Sequence, residues 1–294
     1  MARCLVTGHK GYIGSKVFNT LKMMGHEVMG IDLKSGSDIL RELKPGPDGC
    51  FHRHWESFKP EYIFHLAAIP RVAYSVEHPI EVIENNVLSS LYVLEFARKV
   101  GAKRVIYSSS SSVRGNGDGP ASPYAASKYM PESMCKVWAS LYGVDTVCLR
   151  YFNVYSPCQE AEGPYATAIA NFMKHIRQSE DPFITGDGEQ RRDMANVRDV
   201  VSANIFCMNY NGTFNGDCFD VGTGENISLN EIKDIVLEYF PETNFVYTDP
   251  RAGDVMYTKA DMKKLEKVGW RPKIKIKKGI HSCFENLKKE LDNE

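Results

Sequence analysis

The ten residues Leu5-Val6-Thr7-Gly8-His9-Lys10-Gly11-Tyr12-Ile13-Gly14 constrain the fold more tightly than any other part of the chain. An apolar run from Arg3 to Thr7 has the length of a buried strand, and a helical period follows it to about Met24. Gly8, Gly11 and Gly14 stand at GxxGxxG spacing where that strand must turn into that helix. Glycine permits the tight turn and a close approach of backbone to a ligand, while the N–H groups and dipole at a helix start favour the pyrophosphate of a dinucleotide. The three glycines, with Tyr12 and Ile13 at the helix start, are the expected contacts. A second strand, Glu27 to Ile31, ends in Asp32, eighteen residues after Gly14. A carboxylate there accepts both ribose hydroxyls and repels an additional 2′-phosphate, so the cofactor predicted is NAD rather than NADP.

Strand-like and helical stretches keep alternating: Tyr62 to Ala67, a helix near Pro79 to Val100, then Arg104 to Ser108. Short apolar strands joined by helices predict an α/β fold, a Rossmann doubly wound parallel sheet covered on both faces. After Arg150 the rhythm shortens, with helices expected near Thr167 to Gln178, Val197 to Tyr210 and Leu229 to Phe240. The domain division expected is a cofactor domain over 1–155 and a smaller α/β substrate lobe over 156–294, some of whose segments return to the first domain. The basic run Lys273 to Lys278 carries isoleucines at 274 and 276, the period of a short amphipathic strand with a solvated edge.

Composition removes several other classes. With 43% hydrophobic residues the chain can bury a sizeable core. A formal net charge of -1 offers no global positive field for nucleic acid or an anionic membrane. Cysteines at 4, 50, 135, 148, 158, 207, 218 and 283 form no CxxC pair, which predicts scattered reduced thiols and no metal site. Met1 leads straight into a strand-like stretch and no 18 apolar residues run together, so a cytoplasmic enzyme is expected.

The chemistry is expected near residue 124. Pro123-Tyr124-Ala125-Ala126-Ser127-Lys128 opens a helix running to about Tyr142 and places Tyr124 and Lys128 on one face. An ammonium one turn from a phenol favours its phenolate, a general base. Upstream, a strand enters the run Ser108 to Ser112, so Ser110 projects a hydroxyl from a C-terminal strand end, where open α/β sheets bind ligands.

These motifs resemble the extended short-chain dehydrogenase/reductase family, in particular its nucleotide-sugar epimerases and dehydratases. The resemblance runs from residue 3 to about 272. Besides the glycines and the Tyr124–Lys128 pair it rests on His65-Leu66-Ala67-Ala68, Asn86-Val87, Ser110-Ser111-Ser112-Val113-x-Gly115, Arg150-Tyr151-Phe152-Asn153-Val154, Gly186-Asp187-Gly188-Glu189-Gln190 with Arg192-Asp193, and Arg251-x-Gly253-Asp254. It implies Asp38 and Ile39 beside adenine, Leu66, Ala67, Ala68 and Asn86 along the cofactor, and Phe152 near nicotinamide. It also implies that Asn153, Arg192, Arg251 and Asp254 hold the nucleotide diphosphate and its ribose. Guanidinium forks suit phosphate oxygens.

The implied reaction is 4-epimerisation: Tyr124 takes the proton of the sugar 4-hydroxyl, hydride passes to NAD, and the 4-keto sugar accepts it back on the other face. The family's dehydratases carry Asp-Glu after the catalytic hydroxyl, where this chain has Ser111 and Ser112. Thr258 stands where hexose epimerases of the family can carry a bulky tyrosine, which implies room for a 2-N-acetyl group. UDP-N-acetylglucosamine and UDP-N-acetylgalactosamine are therefore expected, with UDP-glucose and UDP-galactose possible. Arg114, where the family usually has tyrosine, keeps UDP-glucuronate open as a substrate, and an NAD(P)-dependent nucleotide-sugar reductase would use the same Tyr124 and Lys128. The helices near 85–100 and 124–142 resemble the pair with which family members form homodimers.

Overall fold

Cys4, Leu5 and Val6 have no exposure to solvent, so the first strand, β1 (Arg3–Thr7), is covered on both faces. In the computed structural model, which describes residues 1–115, 117–159, 167–250 and 255–293, the chain divides into two compact units. One consists of Met1–Arg150 with Val201–Phe219, the other of Tyr151–Val200 with Asp220–Glu294.

In the first unit β1 is followed by α1 (Tyr12–Met23), β2 (Glu27–Ile31), α2 (Ile39–Glu42), α3 (Arg53–Phe58), β3 (Tyr62–His65) and α4 (Val72–Glu77). Next come α5 (Pro79–Ile83), α6 (Ser89–Val100), β4 (Arg104–Ser110), α7 (Pro123–Tyr142) and β5 (Asp145–Tyr151). The chain re-enters this unit within α9 (Val197–Asn209) and leaves it within β8 (Asp217–Val221). The sheet order is β2-β1-β3-β4-β5-β8. β1 pairs in parallel with both β2 and β3, Leu5 lying opposite Met29 and Ile63, and β3 pairs in parallel with β4. The order therefore reverses beside β1, the position at which open α/β sheets form a ligand crevice. Val17 and Leu21 of α1, Val93 and Phe96 of α6, and Cys135 of α7 are buried, as helices that each lay an apolar stripe on a sheet require.

The helix expected from Pro79 to Val100 is not uniform. Between α5 and α6 it widens into a π-helical turn, Glu84–Leu88, in which Asn86 is buried and its carbonyl accepts the Ser90 hydroxyl at 2.7 Å. Such one-turn widenings re-aim a side chain without breaking the helix.

The second unit contains α8 (Ala168–Arg177), β6 (Phe183–Thr185), β7 (Arg191–Arg192), β9 (Ile227–Ser228), α10 (Leu229–Tyr239), β10 (Val246–Thr248), α11 (Lys263–Lys267) and α12 (Ile276–Leu291). Its core gathers Phe172, Ile184, Ile232, Ile280 and Phe284. The strand expected over Lys273 to Lys278 is absent: Lys273 and Ile274 donate their N–H groups to the Asp199 carboxylate at 3.0 and 2.9 Å, and α12 begins at Ile276. Burial continues from Ile276 through Ile280, Cys283, Phe284 and Leu287, a helical period that outweighs the two-residue alternation at its start. Among the described residues no helix is long and apolar enough to cross a membrane.

Candidate active site

The glycine turn closes on itself. Gly8, at φ +72°, donates its N–H to Ile31 O at 2.8 Å, and Gly11 N–H donates to Gly8 O at 3.0 Å. A Cβ at Gly14 would lie 2.0 Å from Gly8 O, and one at Gly8 would lie 2.8 Å from Ala67 N, so both positions demand glycine. Helix α1 opens without a side-chain cap and without an acidic residue in its first turn, which leaves its positive end for an external anion. Asp32 accepts Lys10 N–H and Lys34 N–H, each at 2.8 Å, one on each carboxylate oxygen. Each oxygen has a second lone pair to offer, so the same carboxylate pins the glycine turn and keeps acceptors for a ribose. A diphosphate dinucleotide fits this cradle.

Other expected cofactor residues of the first unit stand on the turns after β2 and β3 and in the π-helical turn. Asp38 caps α2, accepting Leu40 N–H at 3.0 Å, and Ile39 behind it is buried. Leu66 and Ala67 donate N–H groups to Thr7 O and Thr7 Oγ1, both at 3.2 Å, which ties the loop carrying Ala68 to the end of β1. Asn86 has its amide committed within the protein: Oδ1 accepts Ile69 N–H at 2.8 Å, while Nδ2 donates to Ile69 O at 3.2 Å and Ser127 Oγ at 2.9 Å. It fastens the loop after β3 to helix α7.

Ser122 caps α7 by accepting Ala125 N–H at 3.1 Å and Pro123 occupies the first turn, so the helix starts where its sequence requires. Tyr124, Lys128 and Glu132 recur at four-residue intervals on the buried face. The Tyr124 N–H donates to Ser75 Oγ at 3.0 Å, anchoring this first turn to α4. Ser110, at the end of β4, accepts Ser112 N–H at 3.2 Å and the Ser112 hydroxyl at 2.9 Å, and its hydroxyl is near enough to the Tyr124 phenol to favour the ionised form. Ser110, Tyr124 and Lys128 are thus held at one end of the sheet by β4 and α7.

The electrostatics differ from expectation. Burial raises the Tyr124 phenol above its ordinary value, and the bond from Ser110 pulls it back. The Lys128 ammonium lies 4.9 Å from the centre of the Tyr107 ring, and its burial brings it down to about 8. Loss of hydration is thus the leading influence on the phenol, in the opposite sense to the ammonium's pull that the four-residue spacing predicts. Beneath them His65 Nδ1 lies 2.7 Å from Thr7 Oγ1 and Nε2 3.0 Å from Ser90 Oγ. Burial first, and then the Lys128 charge, hold this imidazole down at about 3, so it is neutral.

In the second unit Asn153, at φ +33°, donates Nδ2–H to Asp193 O at 2.7 Å. Asn153 and Arg192 line a cavity of about 180 Å³, together with Asn171, Gln190, Phe172 and Phe183. Phe152 is buried, bonded through its backbone to Val221 and Ala195. Thr258 is half-buried, and its Oγ1 accepts Asp193 N–H at 3.3 Å. Arg251 and Asp254 lie outside the described residues.

Sequence reasoning missed the groups that hold these side chains. Ser75 had no signal of its own. Glu132 is signalled only by its place one turn after Lys128. The fully buried Asp193 carboxylate accepts Thr223 N–H, Gly224 N–H and Ala260 N–H at 2.8 to 2.9 Å, and so joins loops far apart in sequence.

The glycine cradle, the acid at the end of β2 and the Ser–Tyr–Lys cluster all fall within residues 4–222, which match the model of the NAD dependent epimerase/dehydratase family. The chain belongs to that family. NAD is its cofactor, and it is an enzyme of the epimerase class. The UDP-glucuronate 4-epimerase of Thermodesulfobacterium geofontis is 30% identical over 323 residues, covering 99% of this chain and 98% of the relative. Two solved structures match at 32% and 30% identity. They are UDP-glucose 4-epimerase from Thermotoga maritima with UDP-glucose (TM-score 0.87, covering 98% of this chain and 99% of that one) and UDP-N-acetylglucosamine 4-epimerase from Methanobrevibacter ruminantium in complex with UDP-N-acetylmuramic acid (TM-score 0.86, 100% and 99%). These family members act on three different sugars, so the substrate of this chain must be argued from its own residues.

Proposed function

We propose that this chain is a UDP-sugar 4-epimerase that works at carbon 4 through Ser110, Tyr124 and Lys128, with N-acetylated sugars as its substrates. The observation that carries the reading is the buried Tyr124 phenol, one helical turn from a buried lysine and served by a serine hydroxyl at a strand end. NAD, when bound, supplies a reversible hydride acceptor. Gly8, Gly11, Tyr12, Ile13, Gly14 and Asp32 would hold its pyrophosphate and ribose, Asp38 and Ile39 its adenine, and Leu66 to Ala68, Asn86 and Phe152 the rest. The proton is the task of the chain's own residues. Tyr124 takes it from the 4-hydroxyl and later returns it, Ser110 steadies the reacting oxygen, and Lys128 is the buried cation that a buried phenolate needs.

Asn153 and Arg192, with Arg251 and Asp254, are assigned to the diphosphate and its ribose, the guanidiniums by charge-assisted hydrogen bonds. A sugar held by that link alone can turn its other face before hydride returns. Thr258 supports the N-acetyl assignment because its short side chain is turned onto Asp193 N–H. Arg114, exposed at the end of the turn that follows Ser110, favours UDP-glucuronate as the second candidate. Helix α7 leaves Tyr129, Met130, Val137 and Leu141 exposed, which supports a homodimer built on this helix.

The test is incubation of the purified protein with UDP-N-acetylglucosamine, without added NAD, followed in the anomeric proton region by NMR. UDP-N-acetylgalactosamine is the expected product. Conversion of UDP-glucuronate alone would move the substrate, and conversion only with added NAD(P)H would make the chain a reductase.

A further inference from the structure

A buried carboxylate is costly unless its charge and lone pairs are matched. Glu132 is 4% exposed on the inner face of α7, one turn beyond Lys128 and two beyond Tyr124. Its Oε1 accepts the Ser109 hydroxyl at 2.6 Å and Arg150 Nε–H at 2.8 Å, and its Oε2 accepts Arg150 Nη2–H at 2.7 Å. Ser109 immediately precedes Ser110 on β4, and Arg150 lies on β5. One side chain therefore joins the strand end that carries the hydroxyl, the helix that carries the phenol and lysine, and a neighbouring strand. As a source of stability this ion pair is replaceable, since well-packed apolar residues of similar volume serve as well or better. An apolar pair would not put a negative charge one helical turn from a buried ammonium.

The groups that face Lys128 make that charge matter. From β4 the Tyr107 ring lies under Nζ, and burial keeps its phenol protonated. From β3 comes His65, neutral, and from β5 Cys148, whose thiol is held well above its ordinary range by its bond to Cys135 and by burial. Tyr124, also held protonated by burial, and Glu132 share the helix. Among these described groups Glu132 is the anion, and Arg150, bonded to both of its oxygens, fixes its direction and weakens its field. Burial draws Lys128 down, and the Glu132 carboxylate is the main influence opposing it.

We propose that Glu132 is a positioning residue of this site: its carboxylate braces the Lys128 ammonium from the next turn of α7 and ties the strand end bearing Ser110 to the helix bearing Tyr124. The inference rests on the assignment of Tyr124 and Lys128 to the chemistry. It makes the two halves of one ion pair act in opposite senses on Lys128. Removal of the carboxylate leaves the ammonium harder to keep charged, while removal of Arg150 unmasks the carboxylate and makes it easier.

The test reads Lys128 directly, by NMR titration of the protein as purified with NAD and labelled with 13Cε-lysine, the resonance being assigned from Lys128→Arg. Glu132→Gln is expected to move the Lys128 midpoint down by about one pH unit, and Arg150→Met to move it up. The basic limb of kcat should follow in each case, and Glu132→Asp should recover part of the shift. A merely structural pair would lower thermal stability in both variants without moving either midpoint; an unmoved midpoint, or shifts of the same sign, overturns the proposal. Should Glu132→Gln fail to fold because Arg150 is stranded, Glu132→Gln with Arg150→Met removes both charges and must still move the midpoint down, by less; an unmoved midpoint there is equally fatal. A wild-type protein inactive on every UDP-sugar would defeat the epimerase reading, while the titration would still decide the role of Glu132.

Discussion

Tyr124→Phe separates chemistry from structure because it deletes one oxygen from a ring that stays where it is. The side chain is 9% exposed, and its packing is unchanged by the loss. The surrounding bonds remain: Ser110 Oγ still accepts from Ser112 N at 3.2 Å and Ser112 Oγ at 2.9 Å, and the backbone N–H of residue 124 stays on Ser75 Oγ, so only the Ser110 hydroxyl loses an acceptor. The stability change is therefore about 1 kcal/mol or less, the net worth of one neutral hydrogen bond. A positioned general base contributes roughly 10²- to 10⁴-fold. That corresponds to about 2.7 to 5.4 kcal/mol in the barrier. The catalytic loss should therefore exceed the stability loss at least twofold in free energy. Initial rates from anomeric NMR signals give the first quantity, and calorimetric melting of the same preparation gives the second. A variant that keeps kcat within tenfold of wild type, with an unchanged melting temperature, would refute the assignment of Tyr124 as the base.

Three further outcomes are expected. Gly14→Ala places a Cβ 2.0 Å from the Gly8 carbonyl oxygen, which cannot move without opening the turn, so the purified variant should retain little NAD on release and assay and should lose roughly 1–3 kcal/mol of stability in urea unfolding; normal NAD content would contradict the cradle. His65 is neutral in the folded protein at about 3 against 6.5 unfolded, so between those values the unfolded chain binds the extra proton. Stability should then fall as pH drops from about 6.5 towards 3, by up to about 1.4 kcal/mol per pH unit from this group. Urea unfolding across this range should be less acid-sensitive in His65→Gln, and equal slopes would dismiss the effect. Thr258→Tyr should depress activity on UDP-N-acetylglucosamine selectively, measured beside UDP-glucose, and an equal fall on both would remove Thr258 as the determinant of room at carbon 2.

What was legible in the chain was local. Gly8, Gly11, Gly14 and Asp32 announce themselves because a turn between two adjacent elements fixes their spacing, and Tyr124 with Lys128 because one helix does. The π-helical turn at Glu84–Leu88 left no trace, since one extra residue in a turn barely disturbs the apolar period of the helix. At Lys273 to Lys278 a window of six residues showed alternation, whereas the burial of Ile276, Ile280 and Phe284 obeys the longer period. Ser75, Glu132 and Asp193 act across 49, 23 and 67 residues of sequence, on Tyr124, Ser109 and Ala260 respectively, and no local pattern records such distances. The direction of the Tyr124 shift is hidden for the same reason: helical spacing reveals the nearby ammonium, but the burial that raises the phenol comes from packed elements remote in sequence.

In the proposed reaction hydride leaves carbon 4 of the sugar and returns to the same carbon from the other side. UDP-N-acetylglucosamine carrying deuterium at carbon 4, incubated with the protein in ordinary water without added NAD, tests it most directly. UDP-N-acetylgalactosamine with the deuterium retained at carbon 4 is the expected product. A 4-epimer that has exchanged its deuterium for solvent hydrogen would contradict it.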